Sequence, residues 1–152
     1  MRDSKDDNRI CEWTNQRIVA NMTNYKVDKE KVLFADECFK LAGICFKVQN
    51  TLGRFAKEKQ YADLVETLLK ETVIDYKREF TIGDSGNRAD FIVFNKILIE
   101  LKAKPFLTPE DFSQVQRYLQ ILDLDLGLII NFWSRSAQPR RILRHKNNQV
   151  DS

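Results

Sequence analysis

A single histidine and three cysteines among 152 residues already narrow what this chain can do. His145 stands in a basic C-terminal stretch, so histidine-based zinc sites and Ser–His or Cys–His nucleophile pairs lack parts. The cysteine count is odd. Cys38 and Cys45 fall two turns apart on a predicted helix, roughly 10 Å at ~1.5 Å per residue, which is too far for a disulfide. Reduced thiols are expected, as in the cytosol. No G-x-x-x-x-G-K-[ST] and no G-x-G-x-x-G is present, so nothing supports a nucleotide cradle. No apolar run approaches the roughly 20 residues that span a bilayer. Met1 to Asn24 is polar and carries no hydrophobic leader. The expectation is a cytoplasmic protein with no membrane partner.

What is present fits one domain. A hydrophobic share of 43% can fill a single core, and 31% charged residues suit a solvated surface. The net charge of +3 does not by itself mark a nucleic-acid binder. Its distribution is uneven, because Arg135, Arg140, Arg141, Arg144, His145 and Lys146 crowd one end. These form either a solvated tail or a phosphate-contacting patch, with Arg140 and Arg141 as candidate substrate contacts. Three segments are expected: a polar extension over 1–27, a folded domain over 28–146 and a short tail over 147–152.

The hydrophobic period sets the elements. Asp28 is a plausible cap for a helix reaching Leu52, with Ala35, Cys38, Phe39, Ala42, Cys45, Phe46 and Gln49 at helical spacing and Gly53 at its end. A second helix over Lys57–Glu71 carries the stripe Tyr61, Leu64, Val65, Leu68, Leu69. From Ile74 the period becomes two: Ile74, Tyr76, Phe80 and Ile82 alternate with Asp75, Lys77, Glu79 and Thr81. Arg78 falls on the apolar side of this strand, where an ion pair, a snorkelling side chain or a phosphate contact would account for it. After the turn Gly83–Asn87, strands follow over Arg88–Phe94 and Ile97–Ala103. Thr108-Pro109-Glu110-Asp111 opens a third helix that should bury Phe112, Val115, Leu119 and Leu122. Leu126–Phe132 reads as a strand covered on both faces, and Arg141–Leu143 as a short last strand. The order predicts an α/β domain with a mixed sheet of about four or five strands, a meander and one crossover.

The chemistry concentrates on two of those strands. Glu100 and Lys102 alternate with Ile99 and Leu101, so they share one face. A solvated Glu–Lys pair on an edge strand is the ordinary explanation. Asp90, ten residues earlier across a tight hairpin, adds a second carboxylate. Two carboxylates make a hard oxygen site for Mg²⁺ or Mn²⁺, and a lysine beside them can stabilise charge on a phosphate. Hairpin parity is a constraint. With a three-residue loop between Val93 and Ile97, Asp90 faces Glu100. With a two-residue loop it points to the other side of the sheet.

Asp90…Glu100-Leu-Lys102 resembles the PD-(D/E)XK nuclease signature, with Ala89 where proline often stands. The chain further resembles the GxxExxY group of small bacterial proteins, through Leu52-Gly53…Glu58-Lys-Gln-Tyr61, Arg88-Ala-Asp90, Ile99-Glu-Leu-Lys-Ala103, Gln114-Val-Gln-Arg-Tyr118-Leu119 and Leu126-Gly-Leu-Ile-Ile-Asn-Phe132. Phe55 stands where that motif opens with glycine, a departure in the loop before Glu58 that leaves the carboxylate itself in place. The resemblance implies a restriction-endonuclease-like core. Asp90, Glu100 and Lys102 would be catalytic. Glu58, Asp90, Glu100 and the Leu101 carbonyl would hold Mg²⁺ or Mn²⁺, and Gln114 with Tyr118 would support substrate. Without the resemblance, Glu58 is equally a first-turn glutamate favoured by the helix dipole, and Gln114 and Tyr118 an ordinary helix shoulder. The expected function is metal-dependent hydrolysis of phosphodiester bonds, in DNA, by a monomer or homodimer. The rivals are a nucleic-acid-binding or scaffold protein that keeps the fold without turnover, and a dimeric enzyme that resolves branched DNA.

Overall fold

A computed structural model of the chain describes residues 32–146. Asp28 as a helix cap, the 1–27 extension and the 147–152 tail lie outside the described residues. The described residues divide into two units between Gly43 and Ile44. Helix α1 (Ala35–Leu52) carries residues of both. It starts later than the periodicity suggests, because Phe34 has φ 55° and a left-handed residue cannot lie within a right-handed helix. Cys38 and Cys45 are buried free thiols, and burial pushes the Cys45 thiol up to about 12, which leaves it unreactive at neutral pH.

The second unit contains α2 (Glu58–Glu71), β1 (Tyr76–Ile82), β2 (Asn87–Val93), β3 (Ile97–Lys102), α3 (Pro109–Leu122), β4 (Leu126–Asn131) and β5 (Arg140–Leu143). The five strands form one sheet in sequence order. β1–β2–β3 is an antiparallel meander, β3 and β4 are parallel with α3 between them, and β5 returns antiparallel to β4. This is the mixed α/β architecture that the element order predicts. Every residue of β4 is buried, as a strand covered on both faces should be.

The helix starts are chemically clear. Gln60 Oε1 accepts the Lys57 N–H at 2.9 Å. Asp111 Oδ2 accepts the Thr108 N–H at 2.7 Å ahead of Pro109. Each side chain thereby satisfies a donor that the helix end leaves open. On α3, Val115, Tyr118 and Leu119 pack into a cluster with Leu98, Ile129 and Ile142, while Phe112 and Leu122 are only partly buried against it.

Strand β1 departs from simple alternation. Arg78 turns towards α2, with Nη2 2.7 Å from Asp63 and Nη1 2.5 Å from Glu66. Phe80, two residues later, packs against the α3 cluster instead. The break lies at Glu79, whose φ is 50°. One left-handed residue reverses which face the next side chains take. Arg78 is thus an ion-pair residue, and Ile74 is buried ahead of the strand rather than within it.

Gly127 fixes the approach of α3. A Cβ there would stand 2.6 Å from Val115 Cγ1, with both Leu119 methyls close behind at 3.6 and 3.7 Å. A branched side chain held in a packed helix has little room to yield. Gly127→Ala is therefore expected to lower unfolding stability by about 1–3 kcal/mol, measured by urea denaturation. An unchanged midpoint would show that α3 can retreat freely.

Candidate active site

The β2–β3 hairpin sets the site. Val93 pairs with Ile97, Ile92 with Leu98 and Phe91 with Ile99, so the loop has three residues and the register carries Asp90 opposite Glu100. Phe94 and Asn95 take left-handed conformations at φ 54° and 56°. The segment before β1 steadies the loop: the Phe94 N–H donates to the Asp75 carbonyl at 2.9 Å, and the Asn95 amide to the Asp75 carboxylate at 2.8 Å.

Beyond Phe91 and Ile99 the ordinary ladder between β2 and β3 stops, and side chains continue it. The Asp90 N–H donates to Glu100 Oε1 at 3.2 Å, and the Leu101 N–H donates to Asp90 Oδ2 at 2.7 Å. Each carboxylate takes a backbone donor from the opposite strand. The N–H and C=O of a strand residue point the same way, so the Leu101 carbonyl faces the same gap. Glu100 is only 4% exposed, and β3 is the third of five strands. The solvated edge-strand explanation of the Glu–Lys pair therefore fails.

Lys102 lies among three acceptors. Its Nζ is 3.9 Å from Glu100 Oε2, 3.9 Å from Asp111 Oδ1, and donates to Gln114 Oε1 at 3.3 Å. Gln114 Nε2 in turn donates to the Tyr118 hydroxyl at 3.0 Å. The helix pair thus meets the strand residues through Lys102. Glu58, in the first turn of α2, is exposed as a residue, yet burial around its carboxyl and the nearby Asp90 charge hold its pKa above the usual value, against the pull of Lys102 and Lys104.

Three residues of this cluster were not singled out from the sequence. Asp111, read only as a helix-start acid, is buried and sits 2.5 Å from Lys104 Nζ. Burial would raise its carboxyl, but Lys104 and the Thr108 donors hold it below the ordinary range. Lys104 follows Lys102 by two, the strand period, and that spacing could have flagged it. Asn131, the polar residue in an apolar run, brackets Lys104: its Oδ1 accepts the Lys104 N–H at 3.2 Å and its Nδ2 donates to the Lys104 carbonyl at 2.7 Å.

The basic end is not brought into the cluster as a unit. Arg140 pairs through Ile129 with Glu100, which places it on the same face but two strands away, about 10 Å. Its guanidinium lies 5.9 Å from the centre of the Phe112 ring. Arg141, one residue on, belongs to the other face. Arg144 is ion-paired with Asp123 and, at 2.9 Å, with Asp125.

The carboxylates are held under stress. Burial, then the neighbouring Asp90 charge, pushes Glu100 up to about 8, with Lys102 opposing. Burial also raises Asp90, against the Leu101 N–H and Lys102. Among the described residues no group of three or more His, Cys, Asp or Glu side chains could hold a metal ion by itself. The donor set still suits Mg²⁺ or Mn²⁺ in kind. Such ions commonly take one or two carboxylates and complete their shell with water and substrate phosphate. Asp90 and Glu100, with the Leu101 carbonyl beside them, supply hard oxygens next to a charge shortfall.

A family model described as the PD-(D/E)XK nuclease superfamily matches residues 35–142, more than two thirds of the chain. No curated protein and no solved structure matches the chain. Among the described residues no helix is long and apolar enough to cross a membrane.

The raised carboxyls dictate a pH dependence. In the folded protein Asp90 and Glu100 retain protons that the unfolded chain has lost above its ordinary carboxyl pKa. Native protons then exceed unfolded ones, and stability falls as pH rises towards the folded value of about 8 for Glu100. Melting in EDTA should show Tm dropping between pH 5 and 8. Glu100→Gln, which keeps an acceptor for the Asp90 N–H, should flatten that drop. A wild-type Tm independent of pH in this window would refute the buried-carboxyl account.

Proposed function

The chain belongs to the PD-(D/E)XK nuclease superfamily, and from that premise we propose that it is a Mg²⁺- or Mn²⁺-dependent nuclease that hydrolyses phosphodiester bonds in DNA. The observation that carries the reading is the facing pair Asp90 and Glu100, exchanging backbone donors between β2 and β3 with the Lys102 ammonium alongside. Asp90, Glu100 and the Leu101 carbonyl would hold the ion, with Glu58 adding a carboxylate from α2. When bound, the ion supplies positive charge that acidifies water and neutralises the scissile phosphate. Lys102, spread over three acceptors at 3.3–3.9 Å, can turn to a phosphate oxygen or to the attacking water. Gln114 positions that ammonium, and Tyr118 positions Gln114. Arg140, on the same face as Glu100 two strands away, would meet a phosphate further along the strand. The closer likeness to the GxxExxY group, a homodimeric assembly and a cytoplasmic location extend the same reading.

The decisive test combines binding and turnover. Calorimetry with Mn²⁺ should give a signal that Glu100→Gln and Asp90→Asn abolish. Equal binding by wild type and variants would favour a catalytically silent nucleic-acid-binding protein. Lys102→Ala should bind Mn²⁺ as wild type does but cleave single-stranded, duplex and branched DNA about 10²–10³ times more slowly. An unchanged rate would remove Lys102 from the mechanism.

A further inference from the structure

Two aromatic side chains close in sequence to this site stay out of the buried core, Phe55 exposed and Trp133 half-buried. Phe55 is 73% exposed and stands where the GxxExxY pattern has glycine. Its ring meets Trp133 edge-on, with centroids 5.1 Å apart, and the Arg54 guanidinium lies 5.5 Å from its centre. Both aromatics are tied to the candidate active site. Phe55 precedes Glu58 by three residues. Trp133 follows Asn131, the register partner of Lys102, and donates its N–H to the Asn131 Oδ1 that also accepts from Lys104, at 3.3 Å.

The surroundings hold this pair in place. Tyr61 stacks on Phe132 at 4.3 Å, donates to the Gly53 carbonyl at 2.6 Å and accepts the Ala56 N–H at 3.2 Å. Arg54 Nε donates to the Trp133 carbonyl at 2.8 Å. Gln49 Nε2 donates to the carbonyls of Phe132 and Ser134 at 3.1 and 2.6 Å, and its Oε1 accepts the Ala137 N–H at 2.8 Å. Both loops are therefore tied down by their own contacts, with Phe55 left outward against the half-buried Trp133.

We propose that Phe55 and Trp133 form a stacking platform for an unpaired base, so that the strand delivered to the site is single-stranded. Segments 53–57 and 132–137 carry Arg54, Lys57 and Arg135 and no acidic residue, which complements a polyanion. Ring faces next to basic side chains are what sequence-tolerant single-strand binding requires. A base inside a duplex has its faces already covered by its neighbours and cannot use them.

The proposal deepens the nuclease reading and rests on it for the site it serves, but it can be tested without turnover. With Trp13→Phe as background, Trp133 is the sole tryptophan. In EDTA, a short oligothymidine should quench its fluorescence and bind about tenfold more tightly than an abasic strand of equal length and charge, and more tightly than a blunt duplex. Phe55→Ala, at an exposed position, should remove about tenfold for oligothymidine and leave the abasic strand unchanged. Equal affinity for base-bearing and abasic strands, no oligothymidine binding, or an unaffected Phe55→Ala would overturn the platform. So would self-association abolished by Phe55→Ala with strand affinity intact, which would assign the surface to a second copy of the chain. A protein that stacks the strand in EDTA yet cuts nothing in Mn²⁺ would keep the platform and lose the nuclease. One that cuts while Phe55→Ala binds normally would do the reverse.

Discussion

The exchange between Asp90 and β3 is the constraint on which the site depends. Two strands that should continue a backbone ladder instead satisfy their donors with carboxylates, Asp90 N–H to Glu100 and Leu101 N–H to Asp90. A buried N–H without a partner is costly, so these side chains are needed by the sheet as well as by any chemistry. Removal of either carboxylate to alanine would confound stability with function, whereas the amides Asn and Gln retain an acceptor oxygen. The exchange exists only in one register. A slip by a single residue would send Asp90 to the opposite face, and Asp75 guards against that by gripping both Phe94 and Asn95 in the hairpin loop.

Around that exchange, the two lysines are held differently. Lys104 is committed to Asp111 at 2.5 Å, whereas the acceptors around Lys102 among the described residues stand at 3.3–3.9 Å. Lys104 therefore takes most of the Asp111 charge, which keeps Asp111 from drawing Lys102 into a tight pair. The arrangement requires α3 to stand close to the sheet, because Asp111, Gln114 and Tyr118 all project from it. Gly127 permits that approach by giving Val115 the space a Cβ would fill.

Much of this was legible because periodicity and local chemistry agreed. The order of elements along the chain, the α3 start at Thr108-Pro109 and the shared face of Glu100 and Lys102 follow from spacing alone. The loop length between Val93 and Ile97 was the undecided point. Asn95-Lys96 suits a two-residue turn, and the choice lay in the Asp75 contacts twenty residues upstream. Three features escaped for related reasons. The left-handed Glu79 carries no sequence mark, so the β1 alternation looked unbroken. Asp111 satisfied the rule for a helix start, which hid its second contact with Lys104. Arg140 and Arg141, adjacent in a basic run, lie on opposite faces of β5. The proposed roles of Glu58 and the Leu101 carbonyl at a metal rest on family likeness and chemical kind, because no local pattern distinguishes a ligand from a helix-start glutamate or an ordinary strand carbonyl.

The charge balance joins these observations. Among the described residues, four carboxylates, Glu58, Asp90, Glu100 and Asp111, surround two ammonium groups, Lys102 and Lys104, while Arg78, already paired with Asp63 and Glu66, also draws on Asp90. Fully ionised, the cluster lacks two positive charges, the charge of one divalent cation. Without an ion a burial-raised carboxyl answers the deficit by keeping its proton, as Glu100 does up to about pH 8. In the proposed nuclease reading, proton and cation would compete for the same oxygens, since a carboxylate must be ionised to ligate. A divalent ion would then meet the charge deficit that the proton otherwise meets. A chain of modest net charge can in this way concentrate strong electrostatics at one point of its sheet, where Lys102 stands uncommitted beside the oxygens.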